Sequence, residues 1–399
     1  MVPKGWRQLP LAEFVTFKSG GTPSTQNPDY WGGAIPWISA KDLISFRLSD
    51  SQLKVTMLGA QSGTRLVPEG TVLILVRGMT LHNDVPVGLT TRPMTFNQDI
   101  RALIPENGVS PEFLAYSLVA SKQRLRQFVD TAGHGTGRLA SDFLQEFPIL
   151  LPPTHEQSSI TRCLTVWDTA IVQTEKLIEA KRKLKKGLMQ QLLTGKRRFK
   201  EFVKSKETRR TKYGQLPVDW DLVCIRDIAD VNKCSLPNST DPDYEFFYVD
   251  LSAVKEGIVD FPHTHIRFGE APSRARRIVV SGDVIMATVR PNLKGFALAD
   301  FDTTDTVCST GFALISPHCK SDSRFIYENL YSDLVSQQIH GLLVGSNYPA
   351  INSSDVENMH LFYPTDKDER EQISKVLAGI GNEIQNLNLY LQALQEQKL

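Results

Sequence analysis

The sequence predicts an α+β protein built twice: two globular bodies, each followed by a long helix, with the two helices pairing as an antiparallel coiled coil. Three observations predict it. A stretch near the middle carries a narrow apolar seam at helical spacing. The last thirty or so residues carry a second such seam. The segments that precede the two seams resemble each other at a nearly constant offset.

The first helix is expected from His155 to Thr194. Its seam reads Ile160, Leu164, Trp167, Ile171, Ile178, Leu188 and Leu192, with Thr174, Lys181 and Lys185 in the remaining slots. Alternating steps of four and three put one stripe along one side of a helix, the pattern of a coiled-coil seam. Pro152-Pro153 stop what comes before, and Thr154 with Gln157 reads as a capping box. Gly195, followed by Lys196-Arg197-Arg198, marks the exit, with cations at the negative end of the helix dipole. At 1.5 Å per residue the rod is roughly 58 Å long. The second seam reads Ile373, Leu377, Ile380, Ile384, Leu387, Leu391 and Leu394. Each stripe would be exposed alone, and each is narrower than the face of an ordinary core helix. Burial of one against the other is the expected solution, and the body between them makes an antiparallel pair easy to form.

Four anchors define the repeat. Trp6 with Leu11-Ala-Glu-Phe14 matches Trp220 with Ile225-Arg-Asp-Ile228. The run Gly70-TVLILVR-Gly78 matches Gly282-DVIMATVR-Pro291. Phe113–Tyr116 matches Phe325–Glu328, and Glu156-Gln157-xx-Ile160 matches Glu369-Arg370-xx-Ile373. The domains are therefore expected at 1–151, a central helix and basic linker at 152–212, a second body at 213–365 and a terminal helix at 366–399. Within each body, β-rich runs (Ile35–Ile38, Thr71–Val76, Ile100–Ile104; Phe246–Val249, Val284–Val289, Gly311–Ile315) precede one amphipathic helix, Pro111–Phe128 and Ser323–Ile339. Dense turn residues separate the strands.

A chain of 399 residues accommodates such a plan. No apolar run is long enough to cross a bilayer, and the first ten residues lack the core of a signal peptide. Five cysteines form no close CxxC pair and fit reduced thiols in a cytoplasm. The net charge of +1 conceals an asymmetry. From Glu175 to Lys212, fifteen lysines and arginines face four acids. Charge runs on helices usually serve only to solvate them, yet a basic stretch beside two bodies is also where a phosphate backbone would be drawn.

Catalytic constellations fail on context. Asn27-Pro28-Asp29-Tyr30 and Asp241-Pro242-Asp243-Tyr244 resemble the NPPY loop of amino-methyltransferases, but no glycine-rich cofactor-binding strand–turn–helix accompanies them. They read as turns. Asp168…Glu179-Ala180-Lys181 mimics a nuclease metal site, but on one helix those carboxylates stand about 16 Å apart, too far to share a magnesium ion. No metal or triad spacing is found among the histidines; His263-x-His265 is the only close pair. The expectation is a non-catalytic binding protein with no metal site.

Both copies place polar and basic residues in loops after apolar strands. The candidates for DNA contact are Lys18, Thr22, Arg77, His82, Asn83, Thr136 and Arg138 in the first copy, and Arg290, Asn292, Lys294, Ser346, Asn347 and Tyr348 in the second. Arginine and lysine pair with guanine O6/N7 and asparagine with adenine N6/N7. Singly, each is more often just a loop polar group. Their recurrence in copies that keep the scaffold but differ in these loops strengthens the case for reading two different short sequences.

Several segments carry a family likeness: Gly5-Trp6…Leu11-Ala-Glu-Phe14, Ser19-GGTPS-Thr25…Tyr30-Trp31-Gly32…Ile35-Pro36-Trp37-Ile38, Leu151-PP…Glu156-Gln157, and Lys186-GLMQQLLTGKRR-Phe199. With the body–helix plan, they resemble the specificity subunits of type I restriction-modification systems along essentially the whole chain. The second copy departs, with Cys234-SLPN in place of Ser19-GGTPS and Arg370 in place of Gln157. The resemblance implies two target-recognition domains, each reading one half of a bipartite double-stranded DNA sequence, and a helix pair that sets the unread spacer. The rod would span about 17 base pairs. It further implies two modification subunits that bind S-adenosylmethionine and two motor-nuclease subunits that use ATP and Mg²⁺. This chain itself would hold no cofactor, would have no membrane partner, and would work in a bacterial or archaeal cytoplasm. Two other readings stand beside it: a standalone methyltransferase or nuclease, and a helical adaptor that never touches DNA.

Overall fold

The runs Val72–Leu75 and Val284–Ala287 are apolar at every position, so each needs cover on both faces. In the computed structural model of the chain, which describes residues 2–106, 108–131, 135–255, 257–343 and 349–398, all eight of these side chains are buried. The chain forms two compact units, residues 1–173 with 393–399, and residues 174–392. Each long helix contributes to both.

In the first unit, Val72–Leu75 lies inside a five-stranded sheet. Its order is Val15–Ser19, Ile100–Pro105, Val72–Leu75, Val87–Thr90, Arg47–Leu48, antiparallel except for the last pair. In the second, Val284–Ala287 lies in a four-stranded sheet ordered Ala229–Val231, Phe312–Pro317, Val284–Ala287, Phe296–Leu298. The two orders correspond strand for strand over four strands, as the repeat requires. The strands at the ends of each body pair likewise: Arg7–Pro10 with Pro148–Leu151, and Trp220–Cys224 with His360–Pro364. Each body adds a further sheet, Leu53–Val55, Trp31–Ile38 and Thr95–Phe96 in the first and a four-stranded one around Glu245–Val249 in the second.

Where a single helix was expected in each body there are two. Pro111–Ala120 is followed by Lys122–Arg126, and Asp322–Leu330 by Asp333–Leu342. The physical reason is plain in the second pair. Ser332 is extended, and its hydroxyl accepts from the backbone N–H of Val335, starting a new helix instead of continuing the old one. The Asn27 and Asp241 motifs are turns, as expected. Each side chain accepts from the backbone N–H two residues on, at 3.0 and 2.9 Å.

The central helix runs Thr154–Leu192 and the C-terminal helix Lys367–Lys398. The expected end at Thr194 is two residues long, but Gly195 does provide the exit. Its φ is +67°, and a Cβ there would lie 2.6 Å from Pro217. The expected capping box is absent. The Gln157 side chain instead accepts from the backbone N–H of Ser110 at 2.8 Å and donates to the carbonyls of Gly108 and Pro152. It ties the helix to the start of Pro111–Ala120.

Each unit holds a segment of both long helices. In the second unit Lys181 Nζ meets Glu383 Oε2 at 2.5 Å, and Lys185 Nζ lies 3.3 Å from where a Cβ on Gly381 would sit. Four residues forward on one helix move two back on the other, so the segments are antiparallel. In the first unit Lys398 pairs with Asp168. Every predicted seam residue is buried or half-buried. Val166, Val172, Leu177 and Leu184, off the seam, are exposed. The seam does not pack only on its partner, however. Leu192, Ile373 and Leu377 join Trp220, Phe325 and Phe362 in one apolar cluster, so in the second unit the helix ends are also rooted in the body.

Candidate nucleic-acid interface

Pairing of Arg77–Gly78 with Gly137–Leu139 brings two of the predicted loops together in the first unit. Gly137 has no room for a side chain, since a Cβ would come within 2.9 Å of Leu81 and 3.0 Å of the Gly78 carbonyl. With glycines facing each other, Arg77 and Arg138 fall directly opposite, both exposed. After Gly78 the chain makes a 3₁₀ turn, Met79–His82. The His82 ring reaches back to the Gly135 carbonyl at 2.8 Å, closing one loop on the other. Asn83 ends that turn with an exposed side chain, and Thr136 is half-buried beside Gly137. Lys18 sits one residue before Ser19, on the strand that pairs with Ile100–Pro105. Thr22 donates to Gln98 at 2.7 Å.

Two arginines at this face were not among the predicted residues. Arg65 Nε donates to the Ser19 carbonyl at 3.3 Å. Arg101 is half-buried on the sheet, in register with Ser19 on one side and Ile74 on the other. Burial, followed by the like charges of Arg77 and Arg138, holds the Arg101 guanidinium below the usual arginine range. The available signal was a lone charge in an otherwise apolar strand, Ile100-Arg-Ala-Leu-Ile.

The second unit repeats the turn. Val289, bridged to Ala350, stands at the position equivalent to Arg77, and Arg290 follows it, its backbone N–H donating to the Pro349 carbonyl at 2.8 Å. Pro291–Leu293 form a 3₁₀ turn between Arg290 and Lys294, at φ +50° and +55°. Two non-glycine residues in the left-handed region cost of order 1–3 kcal/mol each and mark a loop shape held for a purpose. Asn292 is exposed at its tip. Each turn exposes one large apolar side chain, though at different positions of it: Met79 is 64% exposed and Leu293 65%. Asn292 and Lys294 also line a cleft of about 1060 Å³ with Arg182, Lys186 and Lys196 of the basic run. Ser346, Asn347 and Tyr348 lie outside the described residues.

The residues that mimicked catalytic sets are engaged elsewhere. Asp168 accepts from Tyr116, whose hydroxyl is pushed up to about 12 by burial and then by that carboxylate. Glu179 pairs with Lys183. His265 stacks on Phe247 at 3.8 Å. No cluster of metal-binding side chains occurs among the described residues. No helix among them is long and apolar enough to cross a membrane.

Scaffold contacts also recur between copies. Trp6 Nε1 donates to Glu156 at 2.8 Å, and Trp220 Nε1 to Glu369 at 3.1 Å. Where Gln157 ties the first long helix to Ser110, Arg370 ties the second to Asp322 at 2.8 Å, with both groups buried. The departure from glutamine to arginine is thus matched by an acid across from it.

The architecture is thus a duplicated body with a long helix after each copy and cationic loops on each body. Residues 3–182 match the family model described as the type I restriction modification DNA specificity domain. By that match, which covers somewhat less than half of it, the chain is similar to the type I specificity subunits. It is 30% identical to the MjaIX specificity subunit of Methanocaldococcus jannaschii over 59% of this chain and 54% of that one, so it spans about half the length of that relative. To the MjaVIII specificity subunit of the same organism it is 23% identical over 96% of this chain and 88% of the other. The solved S subunit of a type I system from M. genitalium shares the fold, with TM-score 0.62 and 14% identity over 100% of this chain and 94% of that one.

Proposed function

We propose that this chain is the non-catalytic, sequence-specific DNA-binding subunit of a type I restriction-modification assembly. Each body reads one half of a bipartite duplex target, and the paired helices set the spacer between the halves. Methylation of adenine and cleavage are the work of two modification subunits with S-adenosylmethionine and of motor subunits with ATP and Mg²⁺. The observation that carries this reading is the 3₁₀ turn built at equivalent positions on two otherwise divergent bodies, entered in each past an arginine, Arg77 or Arg290. Asn83 and Asn292 on these turns, with Arg290 in the second, are of the types that reach base edges, and an exposed apolar side chain suits a thymine methyl. The named specificity subunits among its relatives support the same reading.

The test is selection from a pool of random duplexes by the full chain together with its modification subunits. Two short fixed segments separated by a constant unread length are expected. A single contiguous site, or no preferred sequence, contradicts the reading, the latter in favour of an adaptor. Methyl transfer or cleavage by the chain alone, given S-adenosylmethionine or Mg²⁺, contradicts it in favour of an enzyme.

A further inference from the structure

We infer that Arg77, Arg101 and Arg138 form one receptor for a backbone phosphate of the DNA, so that the first body is placed on its half-site by a charge clamp rather than by base readout at these positions. The inference rests on the DNA-binding reading above.

Arg77 and Arg138 are direct cross-strand neighbours on one face of a small sheet. Like charges placed so are mutually destabilising. Arg101 lies close enough to both to be shifted by each of them. Among the described residues none of the three guanidiniums has a hydrogen-bond or ion-pair partner. The nearest carboxylates by register do not relieve them. Asp130 lies opposite Arg138 on its other side without an ion pair, and Asp99 accepts from Asn97. The backbone fixes the cluster: Val76 and Arg77 donate to the Asp99 carbonyl at 2.8 and 3.2 Å, and Leu139 donates to the Val76 carbonyl at 2.9 Å.

Three arginines gathered here, none of them ion-paired among the described residues, form a site whose charge is balanced when an anion enters. A guanine edge offers two neutral acceptors and leaves the repulsion in place. A phosphate supplies the missing charge and accepts from forked donors bidentately. The second body has no counterpart, because the repeat puts Val289, Ala313 and Ala350 where the first has Arg77, Arg101 and Arg138. The clamp therefore belongs to one body only.

The experiment compares R77Q, R101Q and R138Q with the unaltered full chain, in complex with its modification subunits, on the selected duplex across a salt series. Each variant should lose affinity several-fold on all sequences alike, and the slope of log affinity against log salt should fall by about one. R101K should keep the slope. Without DNA, R101Q should melt at or above the temperature of the unaltered chain, because repulsion is relieved; a merely structural arginine would lower it. An unchanged slope with relaxed preference at one base pair overturns the clamp in favour of base readout, and unchanged affinity and slope overturn it outright. If the unaltered complex binds no duplex, it is the DNA reading itself that fails.

Discussion

Trp220 gives its indole N–H to a carboxylate that is 1% exposed, while Trp6 makes the same bond to a carboxylate that water still reaches. The same contact should therefore be worth different amounts. W220F loses a buried hydrogen bond to a charged group and leaves a small void, at a cost of at least about 2 kcal/mol; W6F should cost about 1 kcal/mol or less. Urea melts of the two variants check this, and equal losses would contradict it. A steeper loss is expected where Arg198 bridges Glu369 and Asp219, with side chains 6%, 1% and 15% exposed. R198M strands a buried carboxylate and should cost about 3–5 kcal/mol. His360 gives a pH signature. Burial, then Lys212, hold its ring below the ordinary histidine value, so the fold prefers the neutral form. The unfolded chain takes up the proton first. Stability is full above about pH 6.5 and falls as pH drops through that value toward the folded pKa. H360Q should flatten that part of the stability profile, and an unchanged profile would contradict it. At this scale the sequence showed which residues recur, Trp6 with Glu156 among them, but not that they touch. Arg101 was hidden because its neighbours Arg77 and Arg138 come from strands 24 and 37 positions away.

Among the elements, the two long helices were the most legible, because a narrow stripe sustained over many turns has few alternatives. Their ends were less so. Gln157 has the spacing of a cap, yet a tertiary partner, the free N–H of Ser110, wins its side chain. The break at Ser332 is hidden in the sequence because apolar periodicity runs on through it, and only the capping geometry shows a new start; the break at Ser121 has no such cap. The seam itself makes a contrast that melting can read. I171D puts a charge on the half-buried seam and should cost several kcal/mol, whereas V172D, one residue on and 46% exposed, should stay within about 0.5 kcal/mol of neutral. Similar losses for both would mean that the stripe does not mediate the pairing. The contacts at the two helix-pair positions differ in an instructive way. In the first unit the acid meeting Lys398 is Asp168, on the long helix itself; in the second the acid meeting Lys185 is Glu328, from the body, opposite Gly381. One ion pair is kept while its acid moves from helix to body.

For the whole molecule, duplication was readable from the offset alone, and the matching strand orders agree with it. The division into units was not, since each boundary falls inside a long helix and leaves no break in pattern or composition. If the helices measure a spacer, their length should be written into the target. A heptad inserted after Thr174, with a matching heptad after Leu391, lengthens the rod by about 10.5 Å and should lengthen the preferred spacer by about three base pairs. Selection from random duplexes would show it, and an unchanged spacer would mean that the helices join the bodies without setting their distance.

The central claim is that one chain carries two independent readers. It is tested most directly by mapping N6-methyladenine across the DNA of a host that carries this chain with its modification subunits, beside a host lacking the chain and one carrying R290A. A bipartite methylated motif is expected that disappears without the chain and relaxes in only one of its two parts in the variant. Methylation that persists without the chain, a contiguous motif, or equal relaxation of both parts would contradict it.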